Sequence, residues 1–275
     1  MNGMNMPVSA MLYEPPGPKT KKIINVITAV SVVLLVYFAV IVVRRFYDTG
    51  QLDERYWSFF AKYTTWKFLA KGLLGTLEAA VVAGAVTFIG GFFMMTARIS
   101  GIKILKMLST TLIEFTRGVP TLLFIYFFFL IAPQYGIKLP PLWKIALPVA
   151  ISASGVVAEA LRSGVNAVPA GQREAALSLG MRGAQVFLKI IFPQAMRFVI
   201  PALIAELVIV VKDTTFAYVV NFPDLMQNAK VLISNYDSML SVYLLVAVIY
   251  IIINYLLNKA SVAAYHRLND VRKMR

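Results

Sequence analysis

Apolar positions in this chain fall in blocks, with neither the alternation of a sheet nor the narrow stripe of a surface helix. Ile23 to Val43 is a run of 21 residues without a charge. About 20 apolar residues are enough for a helix to cross the hydrocarbon core of a bilayer. Five further blocks follow at 72–97, 107–131, 143–162, 190–211 and 239–258. This pattern predicts an all-α membrane protein with six transmembrane helices. The first run is too long for the apolar core of a secretory signal, and Arg44-Arg45-Phe46 follows it with no small-residue cleavage site, so it is read as a retained span.

The polar stretches between the blocks set the orientation. Pro15, Pro16 and Pro18 discourage helix in segment 1–22, where Lys19, Lys21 and Lys22 follow. Those lysines, the Arg98–Lys106 connection, the basic residues from Arg162 to Lys189 and the tail lie on one side. They outnumber the Lys and Arg of the other side, which Asp48, Asp53, Glu54, Asp213, Asp224 and Asp237 dilute. The bias places both termini on the cytoplasmic side of the membrane. The expected plan is a cytoplasmic segment at 1–22, a first transmembrane helix at 23–43, an extracytoplasmic connection at 44–71 and a transmembrane domain at 72–262. A basic cytoplasmic tail at 263–275 completes it. Trp57 and Trp66 in the 44–71 connection suit a membrane interface.

Composition narrows the function. Hydrophobic residues make up 59% and charged residues 15%, against about 25% charged in soluble domains. The net charge of +14 follows the loops between spans and does not form an aromatic-interleaved stripe, so nucleic acid is not an expected partner. Without cysteine and with one histidine, His266, the chain lacks the residues for a thiolate or histidine-rich metal site. A lipid-modifying enzyme would need a His, Asp or Glu cluster that is missing here. A secondary transporter would show internal repeats, and none is visible.

Charges inside spans are costly and usually face a bundle interior or a pathway. Glu78, Glu114, Arg117, Glu159, Arg162 and Glu206 are such charges, and Lys212-Asp213-Thr214-Thr215 closes the fifth block. Glu114 with Arg117 and Glu159 with Arg162 are three apart and can pair on one helix face. Glu206 has two readings: a cavity-lining carboxylate that reads an ammonium group, or an interhelical pair. Glu78 is expected near the outer end of its span, either snorkelling or lining a path. Lys212 to Thr215 either receives a substrate's charged groups or forms an interfacial cluster. Gly118 and Pro120 are expected to break the third span, and broken helices expose backbone groups to substrate in transporters. Gly75, Gly84, Gly90 and Gly91 would let helices approach closely.

The stretch 163–188 is polar yet helical in pattern. Pro169 suits a first turn, Gln172 to Leu179 has high helix propensity, and Gly180 is a stop. A short cytoplasmic helix at about 168–181 is expected. It is alanine-rich with a modest apolar face, which favours docking into a partner protein over lying on a membrane surface.

The residues Glu174-Ala175-Ala176, then Gly180, then Ile190, Ile191 and Pro193 resemble the EAA signature of importer permeases. VPAGQREAALSLG, FPQAMRFVIPAL, KDTT, GLLGTLEAA and IEFTRGVPTLL resemble the polar amino acid branch of that family, over roughly residues 70–260. LYEPPGPKTKK, the additional N-terminal span, GQL and TTW look like the larger permease of actinobacterial glutamate uptake systems. The resemblance implies that 168–181 is a coupling helix, with Pro169, Gly171, Gln172, Glu174, Ala175, Ala176, Leu179 and Gly180 meeting the ATP-hydrolysing subunit. It implies an ATPase dimer, a sister permease, an extracytoplasmic binding protein, an amino acid substrate and surrounding lipid. It also places the element from Arg117 to Pro120 near the translocation path, and the in-span charges Glu78, Glu159 and Glu206, with Lys212, Asp213, Thr214 and Thr215 at the end of the fifth block, are the further substrate-path candidates. The chain itself has no G-x-x-x-x-G-K-[ST] phosphate loop, so ATP and magnesium are expected on partner subunits and no cofactor on this one. Glutamate or aspartate is the implied substrate. Where the branch often has Asn-Gln after Pro201, this chain has Ala205-Glu206, and Glu78 follows Leu77; these acids keep basic amino acids, and glutamine, open.

Overall fold

A computed structural model describes residues 17–273. The expected N-terminal segment up to position 16, with Pro15 and Pro16, lies outside the described residues, as do the last two residues of the expected tail. The chain divides into two units, at Trp57 and Ser58. The described residues are mostly helical and contain no strand.

The first unit carries α1 (Pro18–Asp48), in which Pro18 occupies the first turn and no residue is buried. Proline at that position loses no intrahelical bond, which corrects the expectation that Pro18 keeps the chain from helix. Gly50, at φ 68°, turns the backbone towards a short 3₁₀ turn at Glu54–Tyr56.

The second unit begins with α2 (Tyr63–Ile99). This helix starts nine residues before the expected 72, because Trp66, Phe68 and Leu69 continue the helical pattern around Lys67 and Lys71. The connection before it is correspondingly shorter than 44–71. The third span is not the single helix expected at 107–131. It is α3 (Lys103–Gly118) and α4 (Thr121–Tyr126), and the broken span Lys103–Tyr135 bends by 99°. Val119 is extended because the residue before a proline is pushed out of the helical region, and Pro120 has no N–H to continue the ladder. Next come α5 (Pro141–Ala167), α6 (Ala170–Ser178) and α7 (Gly183–Val186), then α8 (Phe192–Asp213), α9 (Leu225–Tyr236) and α10 (Met239–Lys273).

Two π turns, Phe127–Ile131 and Phe187–Ile191, each precede a proline by two residues, Pro133 and Pro193. A proline ring cannot donate and crowds the carbonyl four residues earlier, and a widened turn removes that conflict. Among the described residues, five helical segments are long and apolar enough to cross a membrane, and the bent pair makes a sixth.

The core is built on α5, which buries Ile145, Ala146, Val149, Ala153, Val157, Ala158 and Leu161 along its length. Small residues set the helix spacing, as expected from the sequence. A Cβ on Gly91 would lie 2.6 Å from Val157 Cγ1, one on Gly90 2.7 Å from Ser154 Oγ, and one on Gly84 3.0 Å from Leu207 Cδ1. A Cβ on Gly75 would overlap the Pro223 carbonyl.

Helix α9 lies where the sequence pattern shows only an outer connection. Asp224 caps it, accepting from Gln227 N at 2.7 Å. Leu225 and Ala229 are buried with Phe59, Leu69 and Val242.

Candidate functional site

The end of the bundle where α5 closes is shaped by a tight turn. Val168 is extended and buried, as expected before a proline, and Pro169 is the N-cap of α6. Gly180 adopts φ 77°, a left-handed conformation that glycine takes without a Cβ penalty, and the Gly180 N–H donates to Leu177 O at 2.9 Å. The expected start and stop of this helix are both present. Ala176 is its buried residue, packed with Val168, Val186, Ile191 and Ala195. Gln194 Nε2 donates to Gln172 Oε1 at 3.3 Å, tying α6 to the foot of α8. Away from this contact α6 is bare: Gly171, Glu174 and Ala175 are exposed, Leu177 is 47% exposed and Leu179 83%.

Next to α6 runs an ion-pair network. Glu159 accepts from Arg162 Nε at 3.1 Å, and Arg98 Nη1 donates to Glu159 Oε2 at 2.7 Å. Arg98 also lies 3.7 Å from Glu114, which pairs with Arg117 at 3.5 Å. Both three-residue pairs anticipated from spacing form. Arg98 joins them across α2, α3 and α5, a link that 61 residues of separation hide from sequence inspection.

The broken third span meets the end of α8. Thr121, the first residue after Pro120, donates to Asp213 Oδ2 at 2.8 Å, and its hydroxyl lies 3.0 Å from Ser152 Oγ of α5. Gly155, one turn further along α5, lies against Thr116 and the stem of Arg117, and a Cβ there would overlap Thr116 Oγ1. Thr214 is fully buried and its hydroxyl donates to Val211 O at 2.8 Å, while Thr215 donates to Lys212 O at 2.7 Å. Lys212 is exposed. The KDTT segment is therefore split, with Asp213 turned to the bundle and Lys212 away from it. Glu206 is 7% exposed, on the same side of α8 as Asp213 two turns later. Glu78 is exposed and lies more than four turns into α2, six residues beyond the expected start of the span at 72.

A second polar cluster surrounds Asp224. Leu225 N donates to Thr76 Oγ1 at 3.0 Å and Asn228 Nδ2 to Phe68 O at 2.7 Å. Asp224 is fully buried, and its Oδ2 has no hydrogen-bond partner among the described residues. Burial pushes its carboxyl from an ordinary 3.8 up to about 6, against the hydrogen bonds from Gln227 and neighbouring backbone that favour the charged form. Sequence reasoning passed over this residue. Its signal was available: Asp224 followed three positions later by Gln227 is a helix-start pattern.

The family model for the binding-protein-dependent transport system inner membrane component matches residues 94–268. The chain belongs to this family. The match takes in α6, the ion-pair network, the broken span and α8. Among family relatives, the chain is 33% identical over 212 residues to the glutamate transport system permease protein GluD of Corynebacterium glutamicum, covering 75% of this chain and 77% of that one. It is 32% identical over 197 residues to the probable glutamine ABC transporter permease protein GlnP of Bacillus subtilis, covering 70% and 90%. A solved amino acid ABC transporter structure, with histidines, aligns at TM-score 0.70 and 30% identity, over 76% of this chain and 98% of that one. The fold is also that of the methionine transporter MetNI in inward-facing conformations, at TM-score 0.64 and 19% identity.

Proposed function

We propose that this chain is the membrane-spanning permease of an ATP-driven importer for polar amino acids, with glutamate or aspartate as substrate. The observation that carries the reading is α6: a short helix seated by Ala176 on the end of the bundle, its Glu174 and Leu179 side bare, in a chain without a phosphate loop. ATP and magnesium belong on a partner dimer whose closure pulls α6. The spans then rock between outward and inward openings while a binding protein delivers the amino acid to the outer side. A sister permease of different sequence completes the pathway, and both termini face the cytoplasm. Of the path candidates, Arg117, Pro120, Asp213 and Glu206 are the strongest. The break at Pro120 frees backbone groups, and Thr121 ties that break to Asp213.

A second reading is a cationic amino acid. It is favoured by Glu206, a carboxyl buried in α8 with a second carboxyl, Asp213, two turns beyond it. The test is ATP-dependent uptake of labelled glutamate by the chain reconstituted with its ATPase, sister permease and binding protein. Competition by aspartate and not by arginine supports the acidic reading. Competition by arginine overturns it and makes Glu78 and Glu206 the leading candidates to meet the substrate's cationic side chain.

A further inference from the structure

A cavity of about 440 Å³ opens at the α6 end of the bundle, lined by Arg98, Ser100, Lys106, Thr110, Arg162 and Asn166. Three cationic side chains converge there, from α2, α3 and α5. Glu159 is the carboxylate that Arg98 and Arg162 share, and Glu114, the second nearby acid, is shared between Arg98 and Arg117. Counting all of these groups, four cations face two carboxylates. Lys106 enters no ion pair among the described residues. The cavity thus holds uncompensated positive charge together with the amide of Asn166, while the Ser100 and Thr110 hydroxyls donate to Ala97 O at 2.8 Å and Lys106 O at 2.7 Å. That donor set suits a phosphate bearing one or two negative charges.

The surroundings identify what carries the phosphate. Lys106 sits on α3 among exposed apolar side chains: Ile102, Ile104, Leu105, Met107 and Leu108 are all bare, Ile104 at 66% and Met107 at 63%. Bare large hydrophobes flanking a cationic cavity mark the boundary between hydrocarbon and headgroups. Basic pockets between transmembrane helices are where anionic headgroups bind. We infer that the Arg98–Lys106–Arg162 cavity is a binding site for the phosphate of an anionic phospholipid, whose acyl chains lie along Met107 and Leu108. The inference goes beyond the transport reading and needs only that the bundle sits in a bilayer. A bound headgroup would hold the start of α3 against the ends of α2 and α5, next to the ion pairs that join them.

The test is native mass spectrometry of the full chain, released from detergent in the presence of equal phosphatidylglycerol and phosphatidylcholine. Wild type is expected to retain phosphatidylglycerol in preference. Lys106→Gln is expected to lower that retention about fivefold, the usual contribution of one basic side chain at an anionic surface. Lys103→Gln, which removes the same charge one turn earlier but does not line the cavity, should leave it unchanged. Equal retention of the two lipids by wild type, or equal loss in the two variants, overturns the site. Displacement of phosphatidylglycerol by excess inorganic phosphate would assign the cavity to a soluble phosphate compound and overturn the lipid. Lys106 is exposed, so its replacement leaves the packing of the bundle intact.

Discussion

The two polar clusters of the bundle answer the same problem in opposite ways. Arg98 and Thr76 both belong to α2, about 33 Å apart along its axis. At the Arg98 end, every carboxylate meets an arginine, and the groups remain partly open to solvent. At the Thr76 end, Asp224 is fully buried with one oxygen unpartnered and enters no ion pair among the described residues. Charges near the surface that pair with one another contribute little net stability and tolerate rearrangement. A buried, uncompensated carboxylate costs free energy unless it is protonated. The end that carries α6 therefore holds paired charges, whereas the α9 end holds a carboxyl that is costly to charge.

The largest expected effect comes from the exposed side of α6. Glu174→Lys should abolish ATP-dependent uptake while leaving the chain in the membrane at wild-type level, as measured by transport in proteoliposomes and by immunoblot of membranes. Normal uptake would remove the functional half of the comparison.

The next effect lies at Asp224. Its folded pKa, about 6, is above the ordinary 3.8, so the folded form binds the extra proton between those values. Stability contributed by the protonated carboxyl is present below about pH 4 and is lost as pH rises through 6. The span of that window corresponds to roughly 2–3 kcal/mol. Asp224→Asn keeps the N-cap and should raise thermal stability at pH 8 while flattening its dependence between pH 4 and 6. A variant less stable than wild type at pH 8 would mean that the carboxylate is compensated after all.

At the other cluster, Glu159→Gln should cost only about 1 kcal/mol in thermal stability, because its partners are partly solvated. A loss as large as that of a buried pair would erase the contrast between the two ends. Smallest in stability, Glu206→Gln should leave the melting temperature almost unchanged and alter the uptake affinity or selectivity. No change in either would make Glu206 a packing residue.

What could be read from the sequence follows the same division. Helix α6 was legible because its signals are local: Pro169 before it, Gly180 after it and alanines between. The spans were legible as apolar blocks, and Glu114–Arg117 and Glu159–Arg162 as pairs one turn apart. The 99° bend was foreshadowed only as a break at Gly118 and Pro120, since its angle depends on how Thr116 and Arg117 pack over Gly155. Arg98 could not be joined to Glu159 by any local rule. Helix α9 was missed because twelve residues bounded by polar positions look like a connection, and its burial comes from Phe59, Leu69 and Val242 far away in the chain.

The central claim is that the bare side of α6 meets the ATP-hydrolysing subunit. Because the chain contains no cysteine, a single one can be placed without background. Leu179→Cys, 83% exposed in the wild-type side chain, would be treated with a short thiol–amine crosslinker in membranes that contain the assembled transporter. Tyr135→Cys, 80% exposed outside α6, serves as the reference. The account predicts a covalent adduct of this chain with the ATPase from position 179 and none from position 135. No adduct from position 179, or equal adducts from both, would contradict it.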